Sequence, residues 1–261
     1  MFVLLGPEFD ATPESYLRLT QATGLVAYDL RARVRAGHWS VVKTLADASQ
    51  ADELARSLTV HGFRPILIER NVAHDPARRI VLARSVKLQQ ADFTLELKDR
   101  LMTIEYSALA AVVRGEVQPG RSPHRGPGSG PSSASLRAVN AQSEPLIREN
   151  QGLPFEAFQA ADLHFLSVPW IARVDAQALG MASSELSLSQ LDAFADDLAR
   201  RGQVRVDRGV RTSSVATLAE QAGRAATESP LRDTRRELPD ERFDPYSRLI
   251  GEAERRARPE P

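Results

Sequence analysis

The densest group of chemistry-bearing residues in this chain lies between residues 162 and 177. It contains Asp162, His164, Arg173, Asp175 and Gln177. Asp162 and His164 are two residues apart, so on a β-strand they share a face, and the same holds for Asp175 and Gln177. If the two strands pair, these side chains converge. Two carboxylates beside a histidine can hold Mg²⁺ or Mn²⁺, which prefer oxygen ligands and support phosphoryl chemistry.

The cluster has two interpretations. The first is structural: two paired strands with salt-bridged polar edges, and His164 hydrogen-bonded in the core. The second is a metal site formed by Asp162, His164 and Asp175, whose pattern D-x₁₂-D-x-Q resembles nucleases of the PD-(D/E)xK type. Here no Pro precedes Asp162, and Gln177 stands where those nucleases have Lys. We favour the structural interpretation and keep a metal-dependent phosphodiesterase or nuclease as the alternative function.

The elements that would position this cluster form a small α+β domain over residues 141–222. The expected elements are, in order, a helix at 154–161, strands at 163–168 and 170–174, a helix at 188–201 and a strand at 204–210. With about 80 residues, this domain could fold alone or could need the preceding part of the chain to complete its core.

Residues 1–118 predict a larger α+β domain with the order β-α-β-β-α-β of a ferredoxin-like sandwich. Alternating apolar residues predict that its second strand covers 26–34. The other expected elements are strands at 2–5, 39–45 and 65–68, helices starting at 13 and 47, appended antiparallel strands at 79–88, 93–97 and 102–106, and a short helix at 107–113. We therefore expect the α+β class.

A flexible linker is predicted over residues 119–140. Its first part, 119–136, contains four prolines, four glycines and five serines and almost no apolar side chain. Such a segment buries too little surface to offset the entropy lost on ordering.

The tail, residues 223–261, predicts a disordered polyampholyte, because nine arginines and nine acidic residues are mixed with five prolines. One short helix is expected within it, at 245–256, with Asp244 as its cap. Its apolar face is formed by Phe243, Tyr246, Leu249 and Ile250. Such a helix either docks on its own chain or binds a groove on a partner protein.

Composition narrows the function classes. Thirty-four basic residues balance thirty-four acidic ones, so no overall field favours nucleic acid or an anionic membrane. The chain has no cysteine, which excludes disulfides, thiol catalysis and cysteine-bound metals. We expect a cytoplasmic, non-enzymatic interaction or regulatory protein of adaptor type. It would need no cofactor and would capture a protein partner through its tail helix and domain surfaces, without nucleic acid or membrane.

Overall fold

The computed structural model describes residues 1–117, 158–181, 188–208 and 243–258. They form a mixed α+β structure, which confirms the expected class. The predicted linker at 119–140 lies outside the described residues, as does most of the predicted tail. Among the described residues, no helix combines the length and apolar character that a membrane crossing requires.

Sheet one is antiparallel and has the strand order β2-β1-β3. Its strands are β1 (Phe2–Leu5), β2 (Ser40–Thr44) and β3 (Pro65–Ile68). Three helices cover its outer side, namely α1 (Pro13–Thr23), α2 (Ala27–Arg33) and α3 (Ala48–Val60). Because side chains alternate along β1, Val3 and Leu5 pack towards these helices, whereas Phe2 and Leu4 face the middle of the molecule.

The start of α1 follows the sequence signals. Thr12 accepts a hydrogen bond from the Ser15 amide, and Pro13 occupies the first helical turn. Gly24 ends the helix with a φ of 67°, a left-handed conformation in which a side chain would be strained.

The strand predicted at 26–34 is wrong, because these residues form α2. Leu30 and Val34 are fully buried, one helical turn apart, whereas Val26 and Tyr28 point to solvent. The alternation of apolar residues had suggested one buried strand face, but only the pair spaced by four residues enters the core. Sheet one consequently has three strands, where a ferredoxin-like sandwich has four.

Sheet two has five strands in the order β11-β8-β9-β10-β4. They are β4 (Ile80–Leu82), β8 (Leu109–Val117), β9 (Phe158–Phe165), β10 (Ile171–Asp175) and β11 (Val206–Asp207). The short helix predicted at 107–113 is wrong, since β8 runs through it. The described part of the helix predicted at 154–161 is wrong as well, since β9 begins at Phe158. Both segments are apolar and short, so periodicity alone does not separate a buried strand from a buried helix.

The domain boundary predicted after residue 118 does not separate two sheets. β8 pairs with β9 from Leu109 opposite Phe165 to Val117 opposite Phe158, and β4 pairs with β10 at the other side. Strands before the predicted linker therefore alternate in one sheet with strands after it. The later part of the chain completes its core with the earlier part, as one of the two possibilities above allowed.

Sheet three is an antiparallel meander that contains the strands expected at 93–97 and 102–106. The single strand expected at 79–88 is wrong, because its first part is β4, which pairs in parallel with β10 in sheet two, and only its second part joins sheet three. Sheet three consists of β5 (Ser85–Leu88), β6 (Asp92–Glu96) and β7 (Leu101–Glu105). Together with helix α4 (Leu188–Gly202) it packs against one face of sheet two.

The tail helix is present as α5 (Phe243–Ala257), close to the predicted bounds. It lies between sheet one and sheet two, where Phe2 and Leu4 of sheet one and Val113 and Val117 of sheet two share its apolar core. The layers are thus α1–α3, sheet one, α5, sheet two, and finally α4 with sheet three.

Candidate functional site

The polar cluster predicted from the sequence does converge, on the face of sheet two that α5 covers. Asp162 and His164 alternate on β9 with residues that face α4, and Arg173 and Asp175 do the same on β10. The register places Asp162 directly opposite Arg173. All four side chains are buried. Gln177 lies beyond the strand, exposed in the turn that follows β10.

Arg173 is the centre of the cluster. Its Nε and one terminal nitrogen donate to the two Asp162 oxygens at 2.7 and 2.8 Å, a bidentate geometry. The same terminal nitrogen donates to Asp244 of α5 at 2.8 Å. The guanidinium also lies 5.0 Å from the centre of the Phe243 ring, which gives it a cation–π contact.

The electrostatics of this group favour a permanently charged arginine. Burial opposes the charge of Arg173, but the carboxylates of Asp162 and Asp244 together raise its pKa above the ordinary arginine value. Burial also raises the pKa of Asp244, an effect that the Arg173 guanidinium partly offsets. The cluster is therefore a buried ion network in which each member depends on the others.

His164 meets α5 rather than a ligand. Its Nε2 lies 2.9 Å from the Ser247 hydroxyl, and its ring packs against the backbone of Gly251, where a Cβ would overlap the ring. Burial lowers the pKa of His164 to about 4, so the ring is neutral at pH 7. This is the hydrogen-bonded core histidine of the structural interpretation.

The three side chains that would hold a metal ion already have hydrogen-bond partners within the protein. Both Asp162 oxygens accept from Arg173, His164 pairs with Ser247, and Asp175 accepts from the Ala178 amide. Across the described parts of the chain, no three His, Asp or Glu side chains are grouped so that they could hold a metal ion. The arrangement can fix a helix on a sheet, but it offers no open coordination site.

The tail residues assigned to a partner are buried inside the chain itself. Phe243 packs against Gly115, where a Cβ would overlap the Phe243 ring. Tyr246, Leu249 and Ile250 belong to the core cluster between sheets one and two. This is the interpretation in which the helix docks on its own chain.

A second group of polar contacts ties α5 to other parts of the fold. The Tyr246 hydroxyl donates to Asp207 at 2.7 Å, and the Trp39 indole donates to Glu254 at 2.8 Å. Burial raises the pKa of both Tyr246 and Glu254. His38 lies 4.0 Å from Asp207 at the edge of this group.

Sequence reasoning found both the cluster and the helix but not that they are partners. The pairs Arg173–Asp244, His164–Ser247 and Trp39–Glu254 join residues 71 to 215 positions apart, and no local pattern reports such contacts. One available signal was the polar content of the helix face, since Asp244 and Ser247 lie beside Phe243 and Tyr246. A helix meant for a purely apolar groove would not place polar groups there.

Comparisons of the chain with protein-family models, with curated proteins and with solved structures each found no match. The site must therefore be interpreted from its own geometry.

Proposed function

We propose that this chain is a non-enzymatic interaction protein of adaptor type, which captures a protein partner through an exposed face of its outer helical layer. The observation that carries the proposal is a set of large apolar side chains left in solvent on this layer. Leu17 of α1 is 59% exposed, Val26 before α2 is 61% exposed, and Tyr28 of α2 is 83% exposed. We call these three residues the α1–α2 face.

The contacts inside the protein argue against partner capture by the tail helix. The groups best suited to chemistry form internal pairs beneath α5, and the apolar side of α5 holds sheets one and two together. External capture by the tail helix would first require all of these contacts to break. We therefore assign partner capture to the outer surface and an internal, structural role to Phe243, Tyr246, Leu249 and Ile250.

The α1–α2 face is held in a fixed conformation. The Tyr16 hydroxyl of α1 donates to the Val34 carbonyl at the end of α2 at 2.8 Å, and the Arg31 guanidinium lies 5.6 Å from the centre of the Tyr16 ring. Leu19 and Leu30 are fully buried beneath the two helices. A preorganised apolar face loses little conformational entropy on binding, and exposed tyrosine is a frequent interface anchor.

The remaining partner and location assignments stay predictions. We propose a protein partner rather than nucleic acid or membrane, because the overall charge is balanced. We propose a cytoplasmic location, and cell fractionation would test it.

An affinity pull-down from native lysate tests the proposal, with the full-length wild type compared with Leu17→Ser/Tyr28→Ser. Leu101→Ser is the matched control, because Leu101 is also an exposed leucine, at 69%, but belongs to sheet three. Exposed substitutions of this kind change stability by only about 0.5 kcal/mol, and a thermal melt verifies this for each variant.

The proposal expects a protein that the wild type and the Leu101 variant retain and that the Leu17/Tyr28 variant loses. Recovery of the same proteins by all three would show that this face captures nothing and would overturn the proposal.

A further inference from the structure

We propose that three arginines beside the last turn of α5 form a binding site for one phosphate group, either the free ion or a small phosphate monoester. The site does not involve the α1–α2 face and goes beyond the proposed function. Arg255 and Arg256 belong to the last turn of α5, and Arg78 lies two residues before β4. We call these three residues the arginine cluster.

The guanidinium groups of the arginine cluster converge on one carboxylate, that of Glu252. Arg78 donates to one Glu252 oxygen at 2.7 Å, and Arg256 donates to the other oxygen at 2.7 Å. A terminal nitrogen of Arg255 lies 3.5 Å from the same oxygen that Arg78 contacts. Three positive charges are therefore gathered around one negative charge.

The neighbouring acidic side chains do not balance this charge. Burial raises the pKa of Glu252, but the guanidiniums of Arg256 and Arg78 outweigh that effect and lower the pKa, so Glu252 is ionised at pH 7. The second carboxylate is Asp75, which lies 3.5 Å from the Arg78 Nε. Two carboxylates thus face three guanidiniums, and the arginine cluster keeps a surplus of positive charge.

Arg255 has the weakest contacts of the three arginines. Its 3.5 Å distance to Glu252 is longer than the about 2.7–2.9 Å of a charge-assisted hydrogen bond. Burial and then the charge of Arg78 lower the pKa of Arg255, which Glu252 partly offsets. The Nε atoms of Arg255 and Arg78 are buried and have no hydrogen-bond partner among the described residues. Buried donors without an acceptor are rare in proteins and indicate a place where an ion or a water binds.

Solvent reaches the arginine cluster from the side of Arg255 and Arg256. These two side chains are 25% and 43% exposed, whereas that of Glu252 is 9% exposed. Arg256 is fixed by Glu252 and by a hydrogen bond of 2.6 Å to the Leu67 carbonyl. Arg255 is held only by its long ion pair, so its guanidinium can turn towards an anion that arrives from solvent.

The convergence of several guanidiniums favours phosphate as the anion. Each guanidinium can pair with two oxygens, and a phosphate group has enough oxygens to meet more than one guanidinium at a time. A carboxylate has only two oxygens, and Glu252 already supplies such a pair. Nucleic acid would require successive basic contacts along a strip, whereas the arginine cluster is one compact group that the fold partly covers.

Thermal melts of the full-length protein with inorganic phosphate test the inference. Sodium chloride keeps the ionic strength constant, and the pH is held at about 8, where phosphate is a dianion. Phenyl phosphate is the second ligand, because it presents the same dianion as a monoester. The variant is Arg255→Gln, and the matched control is Arg33→Gln, which removes the same charge from an exposed arginine of α2.

We expect the melting temperature of the wild type to rise and saturate with phosphate, by about 3–5 °C at about ten times the Kd. Arg255→Gln should lose most of this rise, and Arg33→Gln should keep it. If Arg255→Gln does not fold, Arg255→Lys replaces it and should bind more weakly, because lysine keeps the charge without the planar fork. A lower Kd for inorganic phosphate would identify the free ion as the ligand, and a lower Kd for phenyl phosphate a monoester; both support the site.

Two results would overturn the inference. One is a wild-type melting temperature that phosphate and phenyl phosphate raise no more than sodium chloride does. The other is a rise that Arg255→Gln and Arg33→Gln change to the same extent, which would be a general salt effect. Neither result bears on the pull-down, so the proposed function can hold when this inference fails.

Discussion

The guanidinium of Arg173 joins strand β10 to Asp244 of helix α5 through a buried hydrogen bond of 2.8 Å. The same guanidinium is already paired with Asp162 on the neighbouring strand. One side chain thus neutralises two buried carboxylates, one within its own sheet and one on the helix that covers the sheet. The position of α5 between the two sheets depends on this ion network as well as on apolar packing.

The ion network predicts an asymmetry between single and combined substitutions. Arg173→Met leaves two buried carboxylates without a counter-charge and should cost about 3–5 kcal/mol of unfolding free energy. Replacing all three members, Arg173→Met with Asp162→Leu and Asp244→Leu, should recover a large part of that loss. Urea denaturation of the full chain measures both. A single variant as stable as the wild type would show that the network does not hold α5.

The position of Gly251 predicts whether an alanine substitution there raises or lowers the stability of the protein. In an exposed helix, Gly→Ala stabilises by about 1 kcal/mol, because alanine has the higher helix propensity. In α5 the new Cβ would overlap the His164 ring, so Gly251→Ala should instead lower the melting temperature. The effect should shrink in the His164→Ala background, where the ring is absent. A stabilising Gly251→Ala substitution would contradict the close approach of α5 to β9.

His164 predicts a loss of stability in acid. Burial lowers its folded-state pKa to about 4, below the ordinary 6.5, so the unfolded chain binds the proton more readily. The stabilisation is complete above pH 6.5 and is lost as the pH falls towards about 4, by about 3 kcal/mol from this residue.

The comparison that isolates this residue is His164→Gln, which keeps a neutral side chain able to hydrogen-bond to Ser247. The difference in unfolding free energy between wild type and His164→Gln should narrow or reverse in favour of the variant as the pH falls through this window. If the unfolding free energies of the two proteins change with pH in the same way, His164 is not a buried neutral histidine.

Divalent metal ions provide a test of the alternative metal site at Asp162, His164 and Asp175. Because Arg173 occupies both oxygens of Asp162, we expect Mg²⁺ and Mn²⁺ to leave the melting temperature of the wild type unchanged in differential scanning fluorimetry. A rise with either ion that Asp162→Asn or Asp175→Asn abolishes would restore the metal interpretation.

Capping residues and apolar stripes in the sequence correctly predicted the helices whose ends and buried faces depend on neighbouring residues. Thr12, Pro13 and Gly24 set the bounds of α1, and the apolar stripe of α3 includes Ala51 and Leu58, which are fully buried. The strand predicted at 26–34 was wrong because alternation and helical spacing coincide in a short run that contains both Leu30 and Val34. A helix was predicted at 107–113 in place of β8 because a strand buried on both faces shows no alternation of apolar and polar residues.

The candidate site was predicted only in part, because sequence patterns report relations between neighbouring residues alone. Period-two spacing placed Asp162 and His164 on one face of a strand correctly, since that relation is local. It could not show that α5 covers this face, because the contacts of Asp244 and Ser247 cross more than seventy residues of sequence. The charge inventory alone left open whether a metal, a ligand or the protein's own helix would complete the cluster.

The tail helix is an interior layer of the fold, and we therefore propose that the outer face captures the partner. Amide hydrogen exchange of the wild-type full chain, followed by mass spectrometry, tests the interior position of the helix most directly. If α5 is such a layer, peptides covering residues 243–257 should be protected to a similar degree as those covering β8 and β9. Rapid exchange of the helix amides, while β8 and β9 stay protected, would contradict it and return the helix to the role of an external ligand.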